Sequence, residues 1–184
     1  MAADPSYFYG VLSTPSIGTA TAADVPALAA LINRAYRGAA SLQGWTTEDH
    51  LLDGPRIGEA ALRDMLTAPQ AALLTYLDAG GGLVGCVYLQ QQGTQLYLGT
   101  LAVAPEAQAQ GVGRRLLAAA DTYARQHGCA TIKITVLSAR PELLAWYERH
   151  GYARTGAAEP FPATIAFGRP RQPLTLLELV KTVS

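Results

Sequence analysis

The chain has 184 residues, of which 49% are hydrophobic and 15% charged. That balance excludes an intrinsically disordered chain and suits a soluble globular domain with a real core. Fourteen Lys and Arg meet fourteen Asp and Glu, and a net charge of zero argues against a general nucleic-acid binder.

In chain order, residues 1–15 carry Pro5 and Pro15 with little periodicity and read as an N-terminal arm, with 16–184 as a single domain. The opening MAADPSYFYGVL has no basic region ahead of an apolar run, so no secretory signal is expected and the cytoplasm is the default compartment. Residues 17–20 are a short strand candidate. Thr21 is placed to cap a helix with Pro26 in its first turn; Val25, Leu28, Leu31, Ile32 and Tyr36 follow at helical spacing, up to Gly38. The stretch 41–55 mixes polar, aromatic and acidic residues without a clean period, and a second helix is predicted over 57–66, before Pro69. Residues 71–77 and 83–91 are apolar runs joined by Asp78-Ala79-Gly80-Gly81-Gly82, a hairpin signal, and 95–103 is a third strand. A helix over 114–127 puts Leu116, Leu117, Ala120 and Ala124 on its inner side and stops at Gly128. Residues 131–137 alternate Ile132, Ile134 and Val136 with Lys133 and Thr135. Pro141 opens a helix that Gly151 ends, 152–155 begins a strand, 156–173 is a Pro- and Gly-rich loop, and 174–181 is a closing strand.

No apolar stretch has the length to span a bilayer. Cys86 and Cys129 are too few and too scattered for a disulfide scaffold or a zinc site, so no metal is expected and both read as small core hydrophobes. The element order β-α-α-β-β-β-α-β-α-β-β predicts an α/β chain of the α+β kind, a mixed sheet flanked by helices.

The span 98–152 carries the chemistry. A strand, LGTLAVAP, runs into Gln108-Ala109-Gln110-Gly111-Val112-Gly113, and a helix opens at Arg114. Such a turn offers unpaired N–H groups, the positive end of a helix dipole and close approach to glycine backbone, which together suit a phosphate. A dinucleotide fingerprint would need a small residue at Leu116 and an acid near Ile132 and Lys133, and a P-loop would need a Gly-Lys-Ser/Thr triplet that the chain lacks. What remains is Q-x-x-G-x-G after a strand ending in Val-x-Pro, then Arg114-Arg115, a further strand, and Trp146-Tyr147-Glu148-Arg149-His150-Gly151-Tyr152.

This combination resembles the acyl-CoA signature of the GNAT (GCN5-related) N-acetyltransferase superfamily, over most of 17–180. The resemblance implies a GNAT fold: a mostly antiparallel central sheet with a splay between two parallel strands, here 95–103 and 131–137, that admits acetyl-CoA. It implies an N-acetyltransferase acting by direct transfer to a primary amine of a small molecule or peptide. The alternative from another class is a non-catalytic acyl-CoA sensor or partner module on the same fold. No nucleic-acid or membrane partner is expected, and oligomeric state stays open, a homodimer included.

By the same resemblance, the main chain of Leu101, Ala102 and Val103 would hold the pantetheine arm. The N–H groups of Gln108, Ala109, Gln110, Gly111, Val112, Gly113 and Arg114 would hold the pyrophosphate. Gln108 stands where relatives often have Arg, and Arg114 and Arg115 are the compensating cations. Ser138, in Ser138-Ala139-Arg140-Pro141, stands in for an Asn that many relatives use on pantetheine. Tyr147 is the catalytic candidate: a phenol with a pKa of about 10 stays protonated at neutral pH and can donate to a departing thiolate. An alkylammonium with a pKa of about 10.4 must first lose a proton, at roughly 4–5 kcal/mol at pH 7. The family's place for a carboxylate that assists falls on Tyr97, which leaves Glu48, Asp49 and His50 as alternatives.

Residues 1–92 carry a net charge of −4 and residues 93–184 a net of +4. A basic cofactor half and an acidic acceptor half would draw a cationic amine toward Glu48 or Asp49, with Trp45 and Tyr36 as aromatic wall and Phe161 opposite. Tyr97 completes the substrate-side set.

Overall fold

The computed structural model describes residues 14–162 and 167–183. The expected arm therefore lies outside the described residues except for Thr14 and Pro15, as does part of the 156–173 loop. Among the described residues there are four α-helices: α1 (Val25–Tyr36), α2 (Glu59–Thr67), α3 (Val112–Gln126) and α4 (Pro141–Arg149). The strands are β1 (Ser16–Thr19), β2 (Leu52–Asp53), β3 (Ala71–Leu77), β4 (Leu83–Gln92), β5 (Gln95–Val103), β6 (Thr131–Leu137), β7 (Ala153–Pro160), β8 (Arg169–Pro170) and β9 (Thr175–Thr182). Seven form one sheet in the order β1-β3-β4-β5-β6-β9-β7, with every pair antiparallel except β5–β6. This is the mixed sheet that the element order predicts, mostly antiparallel as the resemblance implies.

Two short elements were not legible. β2 and β8 pair antiparallel, Leu52 with Pro170 and Asp53 with Arg169, which ties the irregular stretch after α1 to the segment before β9. β7 runs on to Pro160, through a register shift between Arg154 and Ala158 that accommodates Gly156 at φ +89°. A bulged, exposed strand with three alanines and a proline reads as loop because it buries no alternating face.

The periodic residues do fill the core. Val25, Leu28, Leu31, Ile32 and Ala35 of α1 are buried, as are Val112, Leu116, Leu117, Ala120 and Ala124 of α3. Helix α3 packs close enough that a Cβ on Gly85 of β4 would lie 2.9 Å from Val112, so a residue without a side chain is required there. Cys86 and Cys129 are buried free thiols. Among the described residues no helix is long and apolar enough to cross a membrane.

The sheet opens in one place. β5 pairs with β6 only at Gln95–Thr131, Leu96–Ile132 and Tyr97–Lys133, while β6 continues against β9 to Leu137. Beyond Tyr97, β5 keeps β4 as its neighbour and leaves β6. The cause is local. Between the pairs Cys86–Ala102 and Tyr88–Gly99, two residues of β5 oppose one of β4, and Thr100 sits at φ +48°. An extra residue bends and twists the strand that carries it. A β-branched residue in the left-handed region stores about 1–3 kcal/mol of strain, a cost typical of backbone held for a site.

Candidate active site

The gap between β5 and β6 is flanked by two cavities. One, of about 760 Å³, lies against the 108–114 loop, the end of β5 and helix α4. The other, of about 610 Å³, lies between β5, β6, β7 and the segment after α1. They share Tyr36, Leu101, Arg140, Leu143 and Tyr147, so these residues stand where the two spaces meet.

On the first side, Ala109 (φ +60°) and Gly111 (φ +80°) turn the chain into α3. Among the described residues no protein acceptor takes the main-chain N–H of Ala109, Gln110, Gly111, Val112, Gly113 or Arg114; the next N–H, of Arg115, bonds to Gly111 O at 3.0 Å. That is a nest of donors at the positive end of a fifteen-residue helix. Gly113 has a different job from Gly111. A Cβ there would lie 3.3 Å from the Trp146 ring, so this glycine lets α3 and α4 meet.

Gln108 departs from expectation. Its own N–H bonds to Pro105 O at 3.3 Å, and its side chain donates to Val103 O (3.2 Å) and accepts from Trp45 N–H (3.0 Å). It therefore braces the stretch after α1 against the end of β5. Arg114 and Arg149 line this cavity, whereas Arg115 donates to the Tyr76 hydroxyl and does not line it. Arg115 is thus corrected to a structural contact.

The expected pantetheine edge is partly engaged. Ala104 N–H bonds to Val84 O, and the register pairs Ala102 with Cys86. Antiparallel pairs alternate in their hydrogen bonding, so Ala102 turns its main chain to β4, and Val103 turns to the gap. The Leu101 carbonyl accepts the Tyr36 hydroxyl at 2.9 Å, and the Val103 carbonyl accepts Gln108. Ala102 is corrected from an edge donor to a residue of the ladder.

Tyr147 is buried in α4, its ring edge-on to Trp146 at 4.9 Å and to Tyr152 at 5.5 Å. Among the described residues its hydroxyl has no hydrogen-bond partner. Burial, reinforced by the neighbouring Tyr36, pushes its pKa well above the usual phenol value. Burial likewise pushes Tyr36 up to about 12. Both stay protonated at neutral pH.

On the second side Glu48 lines the cavity, but it is not free. Glu48 is 4% exposed and sits among three guanidinium groups: Arg37 Nη2 at 3.1 Å, Arg56 Nε at 3.5 Å and Arg140 Nη1 at 3.9 Å. Its charge is spent on the protein. Asp49 accepts the Gly38 N–H at 2.7 Å and lines neither cavity, nor does the exposed His50. Trp45 lines the first cavity and not the second, 6.4 Å from the Trp146 ring. Ser138 lines neither; the residue of its tetrapeptide that reaches both is Arg140. Tyr97 and Phe161 line the second cavity, together with Glu159 and Glu178.

Sequence reasoning missed Arg37, Arg56 and Arg140, because they come from three separate segments with no shared motif. Both terminal nitrogens of Arg37 are engaged: Nη1 donates to Gly54 O (2.8 Å) and Pro55 O (2.9 Å), and Nη2 to Phe167 O. Gly168 allows this, since a Cβ there would lie 2.1 Å from Arg37 Nη1. Arg37 Nε, Arg56 Nη1 and Arg140 Nε are buried without a protein acceptor, and each such group costs about 1–3 kcal/mol or more. Among the described residues no three His, Cys, Asp or Glu side chains gather as a metal site would require.

A splayed sheet, a donor nest at the start of α3 and a protonated tyrosine at the mouth of the gap define an acyltransferase of the acyl-CoA-dependent class. The comparisons agree with that class. The model of the acetyltransferase (GNAT) family matches residues 39–152, and the chain belongs to that family. Its fold is shared with the ribosomal-protein-S18-alanine N-acetyltransferase from Escherichia coli, at 18% identity and TM-score 0.69, covering 93% of this chain and 95% of that one. A spermidine N-acetyltransferase chimera from Vibrio cholerae matches at 17% identity and TM-score 0.66, covering 92% and 96%. A nourseothricin acetyltransferase matches at 18% and 0.66, covering 94% and 100%.

Proposed function

We propose that this protein is an acetyl-CoA-dependent N-acetyltransferase that passes an acetyl group to a primary amine of a small molecule or peptide by direct attack. The observation that carries the reading is that a free, protonated Tyr147 hydroxyl stands where a cavity lined by backbone donors meets a second cavity. The first cavity fits the cofactor: its N–H donors lack protein partners, and its volume of about 760 Å³ is in the range for ligand sites. Acetyl-CoA would supply an activated acyl group as a thioester.

In this reading the N–H groups of residues 109–114 and Arg114 hold the pyrophosphate, and the gap-facing edge at Leu101 and Val103 orients the amide-rich arm. Gln108 acts as a brace and not as a phosphate ligand. Tyr36, by taking the Leu101 carbonyl, fixes the bulge and leaves that residue's N–H for the acyl carbonyl. Tyr147 holds a proton at its hydroxyl and releases it to the leaving sulfur. The amine approaches from the second cavity, where Glu159 and Glu178 are the carboxylates not held by arginine. Neighbours of the same fold are named for a protein alanine, spermidine and nourseothricin, so the fold does not select the acceptor.

The test is calorimetric titration with acetyl-CoA, followed by free-thiol release across amino acids, polyamines, aminoglycosides and short peptides. Binding with amine-dependent thiol release is the expected result. Binding without turnover on any amine would make the protein an acyl-CoA-binding module instead.

A further inference from the structure

The acceptor-side wall carries positive charge that the protein leaves unused. Of the three arginines around Glu48, Arg37 has both terminal nitrogens taken by carbonyl oxygens, with only Nε left over. Arg56 is not. Its main chain is pinned by Asn33 of α1, whose Oδ1 accepts the N–H groups of Arg56 (2.6 Å) and Ile57 (3.1 Å). Its guanidinium lies 5.1 Å from both the Tyr36 and Phe167 ring centroids, held between two aromatic faces. Apart from the 3.5 Å ion pair of its Nε with Glu48, no acceptor among the described residues takes its donors, and Nη1 is buried without a partner. Arg140, 6% exposed, makes one side-chain hydrogen bond, from Nη2 to Thr46 Oγ1 at 2.7 Å. Its other carboxylate neighbours stand off, Glu48 at 3.9 Å and the more exposed Glu142 at 3.7 Å. Elsewhere on this wall Lys133 pairs with Glu178 at 3.8 Å, which leaves Glu159 as a further acid.

We propose that Arg56 and Arg140 bind a carboxylate of the acceptor, so that the acceptor is a small amine bearing a carboxylate close to its amino group, as an α-amino acid does. This rests on the acetyltransferase reading above and names its substrate class. A rigid guanidinium with unspent donors matches a planar carboxylate better than any other common group. The short separation follows from position: both arginines flank the Tyr36 ring, at 5.1 and 5.8 Å, and Tyr36 and Arg140 stand at the junction of the two cavities. A carboxylate held there leaves an adjacent amine at the mouth of the gap. A purely cationic acceptor would meet these two guanidinium groups at the junction, with Glu159 and Glu178 elsewhere on the wall.

The experiment compares matched acceptors with acetyl-CoA: a series of α-amino acids, their carboxamides and the corresponding decarboxylated amines. The amino acids should be turned over with kcat/KM at least a hundredfold above their partners. In Arg56→Gln, acceptor KM should rise at least tenfold with acetyl-CoA affinity unchanged, and the preference for acid over amide should collapse. Arg56→Lys should restore part of it. Amides or plain amines used as well as the acids would overturn the proposal, and so would an Arg56→Gln loss equal for acid and amide, or one confined to acetyl-CoA. Should acetyl-CoA bind while no acceptor is acetylated, the enzyme reading fails separately. Titration of the protein–coenzyme A complex with the same amino acids then decides the carboxylate site: binding that Arg56→Gln abolishes supports it, and no binding ends it.

Discussion

At the scale of single residues, Tyr147 and Glu48 show two kinds of legibility. Tyr147 belongs to a local pattern, so its position at the gap could be anticipated four residues before Gly151. Its unpartnered hydroxyl and raised pKa come from burial by α4 and from its neighbours Tyr36 and Tyr152. Tyr147→Phe should lower kcat by about a hundredfold or more with little change in acetyl-CoA affinity, since one proton donor is lost and the packing surface is kept. Steady-state and single-turnover kinetics check it, and full turnover in the variant with chemistry rate-limiting would return Tyr147 to a packing role. Glu48, by contrast, lines the second cavity, but its ion-paired state was not legible, because it is made by Arg37, Arg56 and Arg140 from three different segments. Arg37 and Arg140 lie 11 and 92 positions from Glu48, so no local pattern reveals that three guanidinium groups surround it.

Among elements, the junction from β5 into α3 carries the cofactor reading. Gly111 is the sharper probe there, because Gly113 also accommodates Trp146 and its replacement would disturb α3 against α4. Gly111→Val forces a β-branched residue to φ +80°, at a cost of roughly 1–2 kcal/mol or more, and twists the N–H groups out of line. Acetyl-CoA affinity should fall more than tenfold while urea denaturation still shows a cooperative fold. Unchanged affinity in a folded variant would remove the loop from the binding site. The strand pairing around this junction was legible in outline, since hairpin, alternation and capping are local properties. The bulge at Thr100 was not, because threonine is a good strand former and nothing local marks it for the left-handed region.

For the molecule as a whole, several buried weak acids set an alkaline limit. Burial raises Tyr36 to about 12 and Cys86 from 9.0 to about 12, and raises Tyr147 and Tyr152 in the same direction. Each folded pKa lies above its unfolded value, so this contribution to stability is complete below about pH 9 and is lost as pH rises toward 12. The rise from 10.0 to about 12 on Tyr36 alone corresponds to about 3 kcal/mol. Urea denaturation from pH 8 to 11.5 should show stability falling above pH 9–10, and Tyr36→Phe should flatten that fall. A pH-independent transition midpoint over this range would contradict the burial of these groups.

The amino-acid order by itself determined the helices, the principal strands, the donor-rich turn and the tyrosine four residues before Gly151, because each is written in spacing over a turn or two of chain. Only the tertiary structure decided which side chains surround the second cavity. It placed Trp45 against the cavity beside the 108–114 loop, left Asp49 and Ser138 lining neither cavity, and surrounded Glu48 with arginines from the end of α1, the loop before α2 and the start of α4. Net charge summed over each half of the chain pointed to an acidic pocket. Electrostatic energy depends on distance and burial in space, and the groups that meet around Glu48 are up to 103 positions apart in the chain.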